Sequence, residues 1–98
     1  MDMKRTICAA ISSKKILRFY YKGGYRNVEP FCHGISKGNE VLRGFQVSGH
    51  SESGERLGWK LFRVSEIANM TITNEQFDKI RPGYNPNDSS MDSICCYI

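Results

Sequence analysis

Ile16-Leu-Arg-Phe-Tyr-Tyr-Lys-Gly-Gly-Tyr-Arg-Asn-Val-Glu-Pro-Phe31 is the stretch from which the rest of the chain is read. Leu17, Phe19 and Tyr21 alternate with Ile16, Arg18, Tyr20 and Lys22, the period of a strand with one buried face. Gly23-Gly24 supplies the positive φ angles of a tight reversal. The run Tyr25 to Phe31 contains Pro30, which donates nothing to a ladder and belongs at an edge, a bulge or a strand end. Together they predict a β-hairpin.

Upstream, Met3, Ile7, Ala10 and Ile11 draw one apolar stripe along a helix with Asp2 as its N-cap and Ser12-Ser13 as its end. So short a helix needs an apolar surface to lie on. Downstream, Phe31 to Ser36 stay extended into a turn at Lys37-Gly38-Asn39. Val41 to Gly49 reads as a strand, with Val41, Arg43, Phe45 and Val47 on one face and Leu42, Gly44 and Gln46 on the other. Ser51 to Gly58 is a polar loop. Trp59 to Val64 and Ala68 to Thr73 complete the count of strands at five, and Asn74 to Asp78 suggest a single helical turn anchored by Phe77. The expected fold is mainly β with a short N-terminal helix: a small five-stranded antiparallel barrel of the Sm-like or SH3-like kind, since closure removes exposed edges. Residues 1–78 form this domain. Residues 79–98, rich in Pro, Gly, Asn and Ser, read as an irregular, mobile tail.

A chain of 98 residues holds one small core and leaves no room for a separate catalytic lobe. No apolar run spans a bilayer, and no h-region follows Met1, so no membrane association and a cytoplasmic location are expected. The net charge is +4. Lys4, Arg5, Lys14, Lys15, Arg18, Lys22 and Arg26 concentrate it in the first third, with no acid between Lys4 and Arg26. Such a patch attracts phosphate, nucleic acid or an acidic partner; its bland counterpart is a solvated helix and strand edge. Tyr20, Tyr21, Tyr25, Phe31 and Phe45 interleave with Arg18, Lys22, Arg26 and Arg43, the combination that stacks bases and neutralises phosphates. The same residues also suit an aromatic core with basic rims.

Cys8, Cys32, Cys95 and Cys96 sit on a helix face, in a strand, and side by side near the last residue, and they read as free thiols. Cys32-His33 and Cys95-Cys96 are metal-ligand types, but they lack the C-x-x-C loops that gather thiolates, so no metal site is expected. Cys95-Cys96-Tyr97-Ile98 fits a prenylation pattern only loosely. No Ser-His-Asp arrangement, phosphate-cradling glycine loop or converging pair of carboxylates is evident, so no catalytic residues, cofactor or enzymatic activity are expected.

The chain resembles the WYL domain family through Ala10-Ile11, Leu17 to Tyr21, Arg26, Val28-Glu29-Pro30 and Lys60-Leu61-Phe62-Arg63-Val64-Ser65-Glu66-Ile67, over about residues 4–78. The Trp-Tyr-Leu signature falls on Glu40-Val41-Leu42, where only the Leu matches. Glu66 stands where the family carries an arginine. The resemblance implies an Sm-like barrel that senses a nucleotide or single-stranded nucleic acid and relays the signal to a partner such as a helix-turn-helix regulator. By resemblance, Tyr21 is the first-strand tyrosine, Lys60 and Arg63 are basic groove positions and His50 is the loop histidine. Arg43 joins them as a candidate ligand contact. Loss of the signature aromatics suggests a second reading, a protein-interaction adaptor or self-associating domain.

Overall fold

The computed structural model describes residues 3–51 and 57–98; Asp2 and most of the Ser51–Gly58 loop lie outside the described residues. Helix α1 (Met3–Ser13) buries Ile7, Ala10 and Ile11, the face its apolar spacing marks. It ends as expected: the Ser13 hydroxyl donates to the Ala9 carbonyl at 2.8 Å, and Lys14 turns the chain with φ 53°. Strand β1 (Lys15–Tyr21) follows at once and buries Leu17, Phe19 and Tyr21 against the helix.

The β1–β2 hairpin forms as read, with its turn shifted by one residue. Lys22 (φ 39°) and Gly23 (φ 96°) make the reversal, the double positive φ whose twist suits a two-residue hairpin. Gly24 instead opens strand β2 (Gly24–Ser36) opposite Tyr21. Its lack of a side chain serves close approach, because a Cβ there collides with the His50 side chain. Strand β2 pairs from Arg26 to Ser36 with β3 (Asn39–Gly49) across a bulge at Phe31, between the pairs Pro30–Gly44 and Cys32–Arg43. On its other side it changes neighbours. Residues Gly24 to Val28 face β1, and Cys32 to Ile35 face β6 (Ser93–Tyr97). Pro30 falls in the gap, where a missing donor costs no ladder bond.

Strand β4 (Gly58–Arg63) lies beyond β3, and a 3-10 turn at Val64–Glu66 leads to β5 (Ala68–Gln76) beside β1. The order is β4-β3-β2-β1-β5, with β6 on β2. This corrects the expectation of five strands: among the described residues the sheet has six, all antiparallel pairs, and its edge strands β4 and β5 are not paired with each other. The sheet is therefore not closed. The expected helical turn at Asn74 to Asp78 is also absent. Asn74 to Gln76 instead extend β5 to a pairing of Lys15 with Gln76, and the Phe77 amide just beyond it donates to the Lys14 carbonyl. Phe77 still anchors, as a buried residue of the second cluster.

Each face of the sheet has its own core. Helix α1 covers Leu17, Phe19, Val28, Leu42 and Phe62. On the opposite face Phe31, fully buried, meets Trp59, Phe77 and Tyr84 with ring centroids 4.9, 5.3 and 5.3 Å away. The segment expected to be an irregular tail supplies this cover. It is irregular up to Asp92 but held down: Arg81 makes a two-point contact with buried Glu29 (2.8 and 2.9 Å), and Trp59 donates to the Pro82 carbonyl at 2.8 Å. It then becomes β6. Gly34 lets β6 approach, since a Cβ there meets the Ser93 carbonyl oxygen.

The reading of four free thiols is corrected as well. Cys8 of α1 and Cys96 of β6 form a disulfide, while Cys32 and Cys95 are free. Alternation along β6 explains the choice: Cys96 is partly covered beside the helix face and Cys95 is exposed. No helix among the described residues is long and apolar enough to cross a membrane.

Candidate ligand cleft

The end of β1, the β2–β3 turn, the ends of β3 and β4, and the 3-10 turn surround a cleft of about 360 Å³. Tyr21, Lys22, Lys37, Asn39, Leu61, Arg63 and Glu66 are among its lining residues. Tyr21 orients it. The ring packs edge-on to Phe62 at 5.1 Å, and the phenol oxygen accepts the Arg63 amide at 3.1 Å while donating to Glu66 Oε2 at 3.4 Å. Alternation in β1 sends Tyr21 inward and leaves its hydroxyl at the rim. Lys37 owes its place to the turn, where φ is 50° and its amide donates to Asp92 Oδ2 at 2.7 Å. The exposed Arg63 guanidinium has no side-chain partner among the described residues.

Three cations therefore border the cleft against one lining acid. Glu66 partly offsets them through a pair with Lys22 at 3.8 Å, but both side chains are nearly half exposed, so the pair is weak.

Of the residues read from sequence, Tyr21 and Arg63 meet in this cleft. Arg43, Lys60 and His50 do not join them. Arg43 on β3 is bound to Asp88 (Nε to Oδ2, 2.7 Å) and to Ser90 (Nη2 to Oγ, 3.1 Å), beside a separate cleft of about 240 Å³ with Trp59 and Tyr84. Lys60 donates to Ser51 Oγ at 3.2 Å. His50 is held through its main chain, its amide on the Tyr25 carbonyl and its carbonyl on the buried Gln46 side chain, with its ring beside Gly23 and Gly24. The opposite register along β3 and β4 separates Lys60 from Leu61 and Arg63. Lys22 and Lys37 are the cleft cations that alternation alone did not assign to the site. A lysine beside a glycine in each turn is the available signal, and only folding brings the two turns together.

The aromatic and basic interleaving splits the same way. Arg26 is buried, donates to the Tyr21 carbonyl and lies 5.0 Å above the Tyr21 ring, a structural role. Tyr20, Tyr25 and Arg18 remain on the surface, with Arg18 stacked 4.5 Å over Tyr25.

Burial raises the Asp88 pKa, but the hydrogen bonds from Arg43 and Ser90 and the Arg43 charge outweigh it, so the carboxyl titrates below its usual range. A depressed folded-state pKa gives stability that is present above the unfolded value of about 4 and is lost as pH falls further. Asp88→Asn is accordingly expected to lower the melting temperature at pH 7, with the gap to wild type shrinking below about pH 4. A gap independent of pH would remove the ion pair from the account. Burial, with Asp88 and Cys95 nearby, likewise pushes the Cys32 thiol up to about 11 against the lowering effect of Arg43.

Compared with protein-family models, curated proteins and solved structures, the chain matches none.

Proposed function

We propose that this protein is a non-enzymatic, ligand-sensing module of WYL type that takes an anionic ligand, a nucleotide or a short single-stranded nucleic acid, in the cleft of Tyr21, Lys22, Lys37 and Arg63. The observation that carries it is the exposed Arg63 guanidinium, without a side-chain partner among the described residues, at the rim of a cleft bordered by two lysines. Guanidinium and ammonium groups are the usual hosts of phosphate, and a volume of about 360 Å³ suits a mononucleotide. The strand order and the 3-10 turn between β4 and β5 support reading the sheet as an opened Sm-like barrel. Tyr20, Tyr25 and Arg18 offer a stacking surface for a longer strand. In this reading the protein works in the cytoplasm and passes ligand occupancy to a partner such as a helix-turn-helix regulator.

The test is titration with fluorescent mononucleotides and short oligonucleotides at low salt. Binding is expected to weaken with rising salt and by about tenfold or more in Arg63→Ala, as for loss of one charge-assisted contact. Absence of binding at low salt rejects the proposal. A second reading, an interaction adaptor, is favoured by Glu66, which engages both Lys22 and Tyr21 inside the cleft. The open edges of β4 and β5 are then the surfaces for strand addition. Sedimentation of a concentration-independent monomer counts against self-association.

A further inference from the structure

His33 is the one histidine of β2, and its side chain is wholly buried. Its Nε2 lies 3.0 Å from Glu40 Oε2. A carboxylate only accepts, so Nε2 carries the proton in this contact, and in the neutral ring the lone pair falls on Nδ1. Nδ1 is buried without a hydrogen-bond partner among the described residues. An orphaned polar atom in a packed interior calls for an explanation, and an absent ion is one. The neighbours supply the rest: a ring nitrogen of His33 and the sulfurs of Cys8 and Cys96 all lie within 4.8 Å of one another.

We infer that Cys8, Cys96 and His33 form a zinc site when the Cys8–Cys96 disulfide is reduced, with His33 binding through Nδ1. A dithiol delivers two electrons and two protons to the disulfide, itself becoming a disulfide, and Cys8 and Cys96 emerge as thiols. Zn²⁺ then binds both sulfurs as thiolates and releases two protons to solvent. Two thiolates and an imidazole are a donor set that Zn²⁺ takes in tetrahedral geometry, leaving the fourth position to water or an incoming ligand. Zn–S bonds of about 2.3 Å hold two sulfurs roughly 3.8 Å apart, so Cys8 and Cys96 Sγ, bonded to each other here, separate on reduction to take up the ion beside His33. Glu40, on the far nitrogen, orients the ring as carboxylates do behind zinc-bound histidines. The site joins α1, β2 and β6, so the ion replaces the covalent link between helix and last strand when that link is opened.

The experiment uses the full chain with Cys95→Ser, which removes the adjacent exposed thiol. It is reduced with a phosphine, desalted without oxygen, and titrated with Zn²⁺ against a chromophoric chelator and with Co²⁺ in the absorption spectrometer. One Zn²⁺ per chain and a thiolate-to-Co²⁺ charge-transfer band are expected. Zinc should protect Cys8 and Cys96 from alkylation, and reoxidation should release the ion. Glu40→Gln, a near-isosteric change at an exposed position whose fold is checked by circular dichroism, is expected to weaken Zn²⁺ binding by roughly 10- to 100-fold. The inference is overturned if reduced protein binds Zn²⁺ no more tightly than the Cys8→Ser/Cys96→Ser pair, if the Co²⁺ adduct lacks the charge-transfer band, or if Glu40→Gln leaves affinity unchanged.

Discussion

Cys8→Ser is expected to lower the stability of the oxidised, metal-free protein by about 2–5 kcal/mol, one of the largest effects of any single change in this chain. The bond joins residues 88 apart in sequence. In the chain-entropy model, closing a loop that long removes freedom from the unfolded state worth about 4–5 kcal/mol. For a domain whose total stability is about 5–15 kcal/mol, that is a large share. The native state also loses an anchor. Strand β6 is a short strand at the end of the chain, held by its ladder to β2, by α1 and by the bond itself. Urea denaturation monitored by circular dichroism, with and without reductant and in the presence of a chelator, measures the difference. Cys95→Ser is the control and should leave the midpoint in place. If reduction does not move the wild-type midpoint, the disulfide contributes nothing and its assignment as a clasp fails.

Phe31→Ala is expected to cost about 3–5 kcal/mol, as for large-to-small changes at fully buried aromatic positions. Phe31 stands at the bulge, with its ring in the cluster on the face opposite the helix. There it is the common neighbour of Trp59 in β4, Phe77 just after β5 and Tyr84 in the covering segment. Removing it empties the centre of the second core rather than its rim. The loss should be both global and local: a lower denaturation midpoint, and faster proteolysis within residues 78–92, whose cover rests on that ring. Trp59 fluorescence reports the same change. Phe45→Ala, at the partly buried border of the cluster, should cost less. Equal sensitivity at the two positions would mean that Phe31 is not the keystone of this core.

Local rules made the first third of the chain legible. Alternation placed Leu17, Phe19 and Tyr21 in the core, the 3.6-residue spacing placed Ile7, Ala10 and Ile11 under the helix, and the glycine pair located the hairpin within one residue. These features depend on neighbours a few positions away. The expected helical turn near Phe77 failed because pairing with Lys15, sixty-odd residues earlier, outweighed local preference. In the cleft, Tyr21 and Arg63 were legible through resemblance and polarity. Lys22 and Lys37 were not, because two separate turns meet there only in the folded sheet. Arg43 carries the right charge, but Asp88 engages it.

By itself the sequence determined a helix followed by a β-hairpin and a meander of strands, because side-chain period and glycine conformation act over short range. Only the tertiary structure decided that residues 93–97 return as a sixth strand along the half of β2 that β1 leaves free. That return joins Cys8 to Cys96 and sets both beside His33. No spacing rule anticipates this group, since its two cysteines lie near opposite ends of the chain and are brought together beside His33 by a strand whose pairing is non-local.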